Sequence, residues 1–157
     1  MFITNHVLAG AVIGLVAPRR PVKVAVVAAG SHFVLDSVPH WGSDHDDAKF
    51  RKVAIVDGLV GLATMRAVMG AVPRGTRVAV LAGMLGAAFP DADKPAEMFF
   101  HRSPFPAGVD RFHEQIQRES PRGIRTELRA ALGLIVAVRV LSWLRRPAKL
   151  TFTALGG

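Results

Sequence analysis

Long apolar runs separated by short polar breaks dominate the chain. Their length and composition predict helices, and no stretch shows the strict alternation of a half-buried strand. Because short connections place consecutive helices antiparallel, we predict an all-α, up-and-down bundle of about five apolar helices. The predicted helices cover residues 3–17, 22–38, 52–72, 76–89 and 124–146.

The segment between the fourth and fifth predicted helices is the most polar part of the chain. Residues 94–123 contain four prolines, which exclude a long regular helix. We expect a long polar loop here, with one short amphipathic helix over residues 110–119. The prediction is therefore a single helical domain over residues 1–146, followed by a flexible tail at 147–157.

Local signals refine the first two helices. Thr4 or Asn5 can cap the first helix, and Pro39 should end the second. Gly10 and Gly14 stand four positions apart in the first helix, a spacing that permits the close approach of a neighbouring helix. The alternative is that they are simply two of the 15 glycines in the chain.

The composition points toward a membrane. The chain is 50% hydrophobic, carries a formal net charge of +8 and has no cysteine. Its basic residues lie between the apolar runs, as in membrane proteins, and do not interleave with aromatic residues, which disfavours a nucleic-acid partner. A full span needs about 20 apolar residues, and the predicted helices fall on both sides of this length. We therefore expect a membrane-embedded bundle with some short or re-entrant helices and with membrane lipid as a partner. A soluble, unusually apolar bundle is the alternative, and the oligomeric state is open.

Three residues around the end of the second helix offer metal-binding chemistry. His32 and Asp36 are four apart, so on a helix they share one face. His40 follows just after Pro39, within reach of the same place. Imidazole and carboxylate are the ligands that zinc takes when no cysteine is available. A buried ionisable pair is costly unless it has a partner, so the sequence favours a metal site, with a simple hydrogen bond or a solvated edge as alternatives.

In an up-and-down bundle, other polar residues fall at the same end as this segment. His6 begins the first helix and Asp57 lies near the start of the third, while the fourth helix ends just before Asp91 and Asp93. We therefore predict a divalent metal, zinc first and manganese second, bound by His6, His32, Asp36, His40, Asp57 and His113.

The remaining polar residues at this end suggest catalytic and binding roles. Asp91 and Asp93 are candidate catalytic residues, either of which could serve as a general base; an ordinary Pro/Asp turn is the alternative. Arg102 and Arg111 could hold an anionic substrate, or be solvated loop charges. His101 and His45 have no assigned role, and the acidic loop around His45 could bind a cation or simply be solvated.

Two segments carry a resemblance to a known family. Ser31 to His40 reads Ser-His-x-x-x-Asp-x-x-Pro-His, and residues 90–93 read Pro-Asp-x-Asp. Over roughly residues 1–115 the chain resembles the YdjM-like bacterial membrane-bound proteins described as metal-dependent hydrolases. Their N-terminal Thr-His is similar to Thr4-Asn5-His6, which carries an inserted Asn, whereas their His-Arg-Gly is replaced here by His-Arg-Ser.

A more distant likeness is to the zinc-dependent phospholipase C and P1 nuclease group. Their His-x-x-x-Asp helix, followed by Pro and His, looks like His32 to His40. The resemblances imply a helical hydrolase at the bacterial cell membrane, multi-pass or re-entrant, that cleaves a phosphoester or phospholipid head group with a metal-activated water. The alternative is a non-enzymatic integral membrane protein with a structural His/Asp metal or hydrogen-bond cluster.

Overall fold

A computed structural model of the protein describes residues 1–42 and 47–146. The acidic loop with His45 and the tail at 147–157 lie outside the described residues. The described part is largely helical, which confirms the all-α prediction. Its helices are α1 (Ile3–Val16), α2 (Pro21–Asp36), α3 (Asp47–Ala71), α4 (Arg77–Ala88), α5 (Asp93–Phe100), α6 (Ala107–Ile116) and α7 (Ile124–Leu144).

The five long helices lie on the predicted apolar runs, but α3 begins five residues earlier than predicted and α2 ends at Asp36, two residues before its predicted end. The other differences are in the polar segment. The predicted loop contains two short helices. Helix α5 was not predicted, and α6 begins and ends three residues earlier than predicted. Two short strands were also missed, β1 (His40–Trp41) and β2 (Glu119–Ser120), which pair in parallel. Two residues are too few to show an alternating pattern, so only the tertiary fold reveals this pairing.

Helix α1 lies at the centre of the bundle and contacts α2, α3, α4 and α7. Its side chains Leu8 and Leu15 are almost fully buried and belong to a core that includes Met84 of α4 and Val138 of α7. Because four neighbouring helices pack around α1, most of its residues are buried and its apolar side chains are not confined to one face.

Glycines allow α1 and α4 to touch backbone to backbone. A Cβ atom added to Gly10 would lie 2.2 Å from the carbonyl oxygen of Gly83, and one added to Gly14 would lie 2.6 Å from that of Ala79. The close packing predicted from the Gly10 and Gly14 spacing is therefore confirmed. Gly86 of α4 approaches α2 in the same way.

The outer surface of the bundle carries many exposed apolar side chains. Each of α2, α3, α4 and α7 presents large aliphatic or aromatic residues that are more than half exposed. Where such side chains form a contiguous patch, they mark a face that meets lipid or another protein. Examples are Val22, Val26, Val34, Val56, Leu59, Leu62, Val78, Leu85, Leu128, Leu132 and Trp143.

The structure does not support the multi-pass prediction. Among the described residues, only the 24-residue stretch Ala48–Ala71 is long and apolar enough to cross a membrane, and one such helix is weak evidence. The apolar helices α1, α2 and α4 have 14, 16 and 12 residues, about 21, 24 and 18 Å at ~1.5 Å per residue. Helix α7 is longer but contains three arginines and a glutamate.

We expect Gly10→Ala to destabilise the protein by about 2 kcal/mol or more, because the added methyl group would meet backbone that cannot move aside as a side chain can. Gly30→Ala is the matched control, since its added Cβ would have no atom within 4 Å and helical Ala is favoured over Gly by about 0.5–1 kcal/mol. Unfolding followed by circular dichroism measures both. Equal stability of the two variants would contradict the close α1–α4 contact.

Candidate metal centre

Four residues from three parts of the fold meet at one end of the bundle. His32 and Asp36 lie on the buried face of α2, Asp91 lies in the 3-10 turn after α4, and His113 lies on α6. Each offers one ligand atom, and these four atoms all lie within 4.8 Å of one another. The sequence predicted all four as site residues, with Asp91 as a candidate catalytic residue, and that role stays a prediction.

The Asp36 carboxylate is at the centre of this group and is fully buried. Its Oδ2 atom lies 3.1 Å from His32 Nε2 and 3.0 Å from His113 Nε2. On the other side, its Oδ1 atom lies 3.0 Å from His6 Nε2 and 2.6 Å from the Met1 amino group. The four residues and His6 therefore form one connected polar cluster inside an apolar bundle.

The spacing of the donor atoms fits a divalent metal. Zinc bound tetrahedrally at about 2.0–2.1 Å holds neighbouring ligand atoms roughly 3.3 Å apart. The Nε2 atoms of His32 and His113 are 3.0 Å apart, and Asp91 Oδ1 lies 3.7 and 3.9 Å from them. These distances lie on both sides of the required value, so the group could hold a metal ion after small side-chain shifts.

Contacts behind the two histidines orient them toward the centre. His32 Nδ1 lies 2.8 Å from the carbonyl oxygen of Ala87, to which it donates, so Nε2 faces the other ligands. His113 Nδ1 lies 3.7 Å from Asp93 Oδ2. Backing a histidine with a carbonyl or carboxylate in this way is typical of metal sites. Asp93, which the sequence suggested as catalytic, therefore positions His113 and lies outside the group of four.

The charges of the cluster follow from burial and pairing. Burial alone would lower the pKa of His113, but hydrogen bonds with Asp36 and Asp93 raise it to about 9. Burial would raise the pKa of Asp36, but its contacts with His113, His32 and His6 outweigh burial and hold the pKa far below its ordinary value. Without a metal, His113 is therefore a cation paired with the Asp36 anion.

His6 meets the His32 and Asp36 pair, as the up-and-down topology predicts. Its ring stacks on that of His32 with centroids 3.9 Å apart, and its Nε2 atom contacts Asp36. Its Nδ1 atom is buried and has no hydrogen-bond partner among the described residues. His6 is therefore not one of the four residues, but it contacts two of them, stacking on His32 and approaching the Oδ1 atom of Asp36.

Two other predicted ligands have different contacts. His40 is buried, and its Nδ1 donates to the carbonyl oxygen of Val38 at 2.8 Å. The Asp57 carboxylate accepts hydrogen bonds from the amides of Ile3 and Thr4 and from the Thr4 hydroxyl. The structure does not bring either residue into the group of four.

These contacts also correct the capping prediction for α1. The helix begins at Ile3, and neither Thr4 nor Asn5 is its N-cap residue. Instead, Asp57 of α3 and Glu127 of α7 accept the first amides of the chain, which places two carboxylates at the positive end of the helix. No local pattern indicated this role of Glu127, because its partners lie more than 80 positions away in the chain.

The two arginines predicted to hold a substrate are exposed, Arg102 after α5 and Arg111 on α6, and their role stays a prediction. Two other polar residues lie closer to the centre. Gln117 Nε2 is 3.2 Å from His113 Nε2, and Lys94 Nζ is 3.5 Å from Asp93 Oδ2. Gln117 follows His113 by four positions and Lys94 follows Asp93 directly, which are the only sequence signals that could have identified them.

A cavity of about 500 Å³ opens beside the group of four. Asp91 belongs to the group of four, Gln117 contacts it, and both residues line the cavity. The cavity therefore leads to the candidate metal centre. Its remaining walls come mainly from α3, α5 and the start of the chain. Asp91 is the member of the group that is partly exposed, with 15% of its side chain accessible.

Comparisons with known protein families, with curated proteins and with solved structures find no match. What the fold and site define is therefore a class, a helical bundle with a buried His/Asp cluster that could hold a metal ion. The resemblance to the YdjM-like family stays a prediction.

We expect the purified protein to bind about one divalent ion per chain, measured by metal analysis after dialysis. Asp36→Asn keeps the shape of the side chain but removes its charge, and His113→Gln replaces the imidazole with a weakly coordinating amide, so binding should fall at least tenfold. His101→Asn is the control, because His101 is exposed and Asn tolerates its left-handed backbone. Equal metal content in all four proteins would exclude this site.

The stability of the metal-free protein should fall as the pH rises from about 6.5 to about 9. His113 has a higher pKa in the folded protein than its ordinary 6.5, so its contribution to stability is complete below pH 6.5 and is lost as the folded group deprotonates. Thermal unfolding in the presence of a chelator measures the change. His113→Gln should flatten the dependence in this range, and an unchanged slope in that variant would contradict the assignment.

Proposed function

We propose that this protein is a metal-dependent hydrolase at a bacterial membrane that cleaves a phosphoester, such as a phospholipid head group. The observation that carries the proposal is the buried group of two imidazoles and two carboxylates beside an open cavity. Nitrogen and oxygen ligands without cysteine suit zinc and also manganese. The proposal agrees with the family resemblance of Ser31 to His40.

The residues of the candidate metal centre have three roles: binding the ion, positioning a ligand, and taking part in the reaction. His32, Asp36 and His113 would hold the ion, which when bound lowers the pKa of water and polarises a phosphoryl oxygen. Asp93 keeps His113 in place through its Nδ1 atom. Asp91 lies at longer distances than Asp36 and lines the cavity, so we assign to it the removal of a proton from the attacking water.

A membrane location is supported by the outer surface of the bundle. Exposed Val, Leu and Trp side chains cover α2, α3, α4 and α7, and a lipid phase would remove them from water. Helix α3 is long enough to span a bilayer, and the shorter helices could be re-entrant beside it. The polar end with the candidate metal centre would then face the lipid head groups.

A specific observation favours the non-enzymatic alternative. Both oxygens of Asp36 have partners without an ion: the Met1 amino group and His6 at Oδ1, and the His113 cation at Oδ2. Such a network could serve only to hold the helices together. A structural cluster of this kind, with or without a bound metal, would show no turnover.

A panel of phosphodiester and phospholipid substrates with added Zn²⁺ or Mn²⁺ tests the proposal. We expect turnover that falls at least 100-fold in Asp91→Asn, because a neutral amide cannot accept the proton. Glu114→Gln is the control, since it removes an exposed carboxylate next to His113 on α6 and should keep full activity.

The same preparations test the location. The protein should remain in membranes after an alkaline carbonate wash, which removes peripheral proteins. Release of folded protein by the wash would contradict an embedded bundle. Bound metal without turnover on any substrate would favour the structural alternative, and equal turnover of wild type and Asp91→Asn would exclude the catalytic role of Asp91.

A further inference from the structure

Seven basic residues lie at the end of the bundle opposite the candidate metal centre. Helices α1, α3 and α7 end there, and α2 and α4 begin there. Residues 13–26, 66–80 and 138–146 form this part of the bundle and contain no aspartate or glutamate. We call it the basic end, after its residues Arg19, Arg20, Lys23, Arg74, Arg77, Arg145 and Arg146.

Contacts with α1 bring these residues together. Gly14, in the last turn of α1, lies against Val80, in the first turn of α4. Arg145, directly after α7, donates from Nη2 to the carbonyl oxygen of Val16 at 3.0 Å. Helix α2 follows α1 after a short turn, and Arg74 lies in the turn that leads into α4. The basic residues therefore lie around the end of α1, although they are far apart in the chain.

Three of these arginines line one recess at the surface. The recess is lined by Val16, Ala17, Pro18, Arg19, Arg20 and Arg145. The bond to the Val16 carbonyl uses only one N–H group of Arg145, so its other donors can contact a ligand. In the described part of the chain, none of the seven basic residues forms an ion pair with a carboxylate. Guanidinium groups without a carboxylate partner match a phosphate, which they bind through paired hydrogen bonds.

Large apolar side chains lie between the cations of the basic end. They are exposed by 59% to 78%, and they are Val16, Val22, Val78, Trp143 and Leu144. Each is within three positions of a lysine or arginine in the chain. A surface that mixes cations with exposed aliphatic and tryptophan side chains is typical of the boundary between lipid head groups and acyl chains. It is not typical of a surface that binds a soluble anion.

We propose that the basic end binds the phosphate head groups of anionic lipids. Arg19, Arg20 and Arg145 surround one phosphate at the recess, and the neighbouring aliphatic side chains reach the acyl region. A lipid fits better than nucleic acid or free phosphate, because neither of these would remove Val22 and Val78 from water. The inference goes beyond the proposed function: it rests on the membrane location proposed there, but not on hydrolysis.

The distribution of charge gives the bundle a direction in the membrane. The carboxylates Asp36, Asp57 and Glu127 all contact the start of α1, at the end away from the basic residues. Helix α7 joins the two ends with 21 residues, about 31 Å at ~1.5 Å per residue, which is close to the thickness of the bilayer core of ~30 Å. The basic end would therefore meet the head groups of one leaflet, and the candidate metal centre would lie at the other.

The two tryptophans of the chain can report on the two ends separately. Trp143 lies at the basic end, whereas Trp41 contacts Phe2 at the start of the chain. Trp41→Phe therefore leaves a single reporter at the basic end, and Trp143→Phe leaves one at the end with the metal centre. The full chain is reconstituted in vesicles with equal parts of phosphatidylglycerol and phosphatidylcholine. The acyl chains of one lipid at a time carry bromine, which quenches a nearby tryptophan.

We expect Trp143 to be quenched more strongly by brominated phosphatidylglycerol, with a preference over phosphatidylcholine of about fivefold or more. The preference should weaken at high salt, because ions screen the attraction. Changing Arg19, Arg20 and Arg145 together to Gln should abolish it, while changing all three to Lys should keep most of it. Trp41 should show no such preference.

A matched control removes the same charge from the other end of the bundle. Arg118, Arg122 and Arg125 are exposed, and changing all three to Gln should leave the preference at Trp143 unchanged. Thermal unfolding followed by circular dichroism compares the stability of the variants. Retention of the preference in the Lys variant separates lost charge from a lost fold.

Several outcomes would overturn the proposal. Equal quenching of Trp143 by the two lipids is one, and a preference that survives the change of Arg19, Arg20 and Arg145 to Gln is another. Inorganic phosphate that abolishes the preference more than chloride at equal ionic strength would assign the recess to a soluble anion. A short oligonucleotide that binds the wild type but not the Gln variant, without any lipid preference, would assign this end to nucleic acid.

The quenching experiment needs neither metal nor turnover, so the two proposals can fail separately. A preference for phosphatidylglycerol at Trp143 without hydrolysis of any substrate would contradict only the proposed enzyme activity. Hydrolysis with equal quenching by the two lipids would contradict only this inference.

Discussion

The structure depends on one buried carboxylate. Burying an ion in an apolar interior costs several kcal/mol unless partners compensate it, and Asp36 is fully buried. Its partners are His6 from α1, His32 from the same helix and His113 from α6. Satisfying this single anion therefore requires three parts of the chain to meet at one end of the bundle, and the same requirement assembles the donors of the candidate metal centre.

The central position of α1 makes this meeting possible. Gly10 and Gly14 let α4 approach α1 at backbone distance, so that α4 ends close to the start of α1 and delivers Asp91 and Asp93 beside His113. Carboxylates of α3 and α7 then accept the first amides of α1. Apolar packing sets the direction of each helix, and polar contacts fix the end at which the site lies.

Helix α3 connects the site with the surroundings of the protein. Asp57 on one of its faces holds the start of α1, while Gly58, Leu59 and Leu62 line the cavity. Its apolar length is the feature that best fits a membrane. Helix α3 therefore contributes both to the polar contacts at the start of α1 and to a wall of the cavity beside the candidate metal centre.

The sequence by itself predicted the five long helices and named all four residues of the candidate metal centre. Apolar runs ended by prolines predict the long helices, and the four-residue spacing of His32 and Asp36 places both on one face because a helix repeats every 3.6 residues. Only the tertiary structure decided the rest. It placed Asp91 in the group of four and Asp93 behind His113, and it placed Asp57 at the start of α1. It also brought Lys94 and Gln117 close to the candidate metal centre. These positions depend on how the helices pack, and no local sequence pattern encodes that packing.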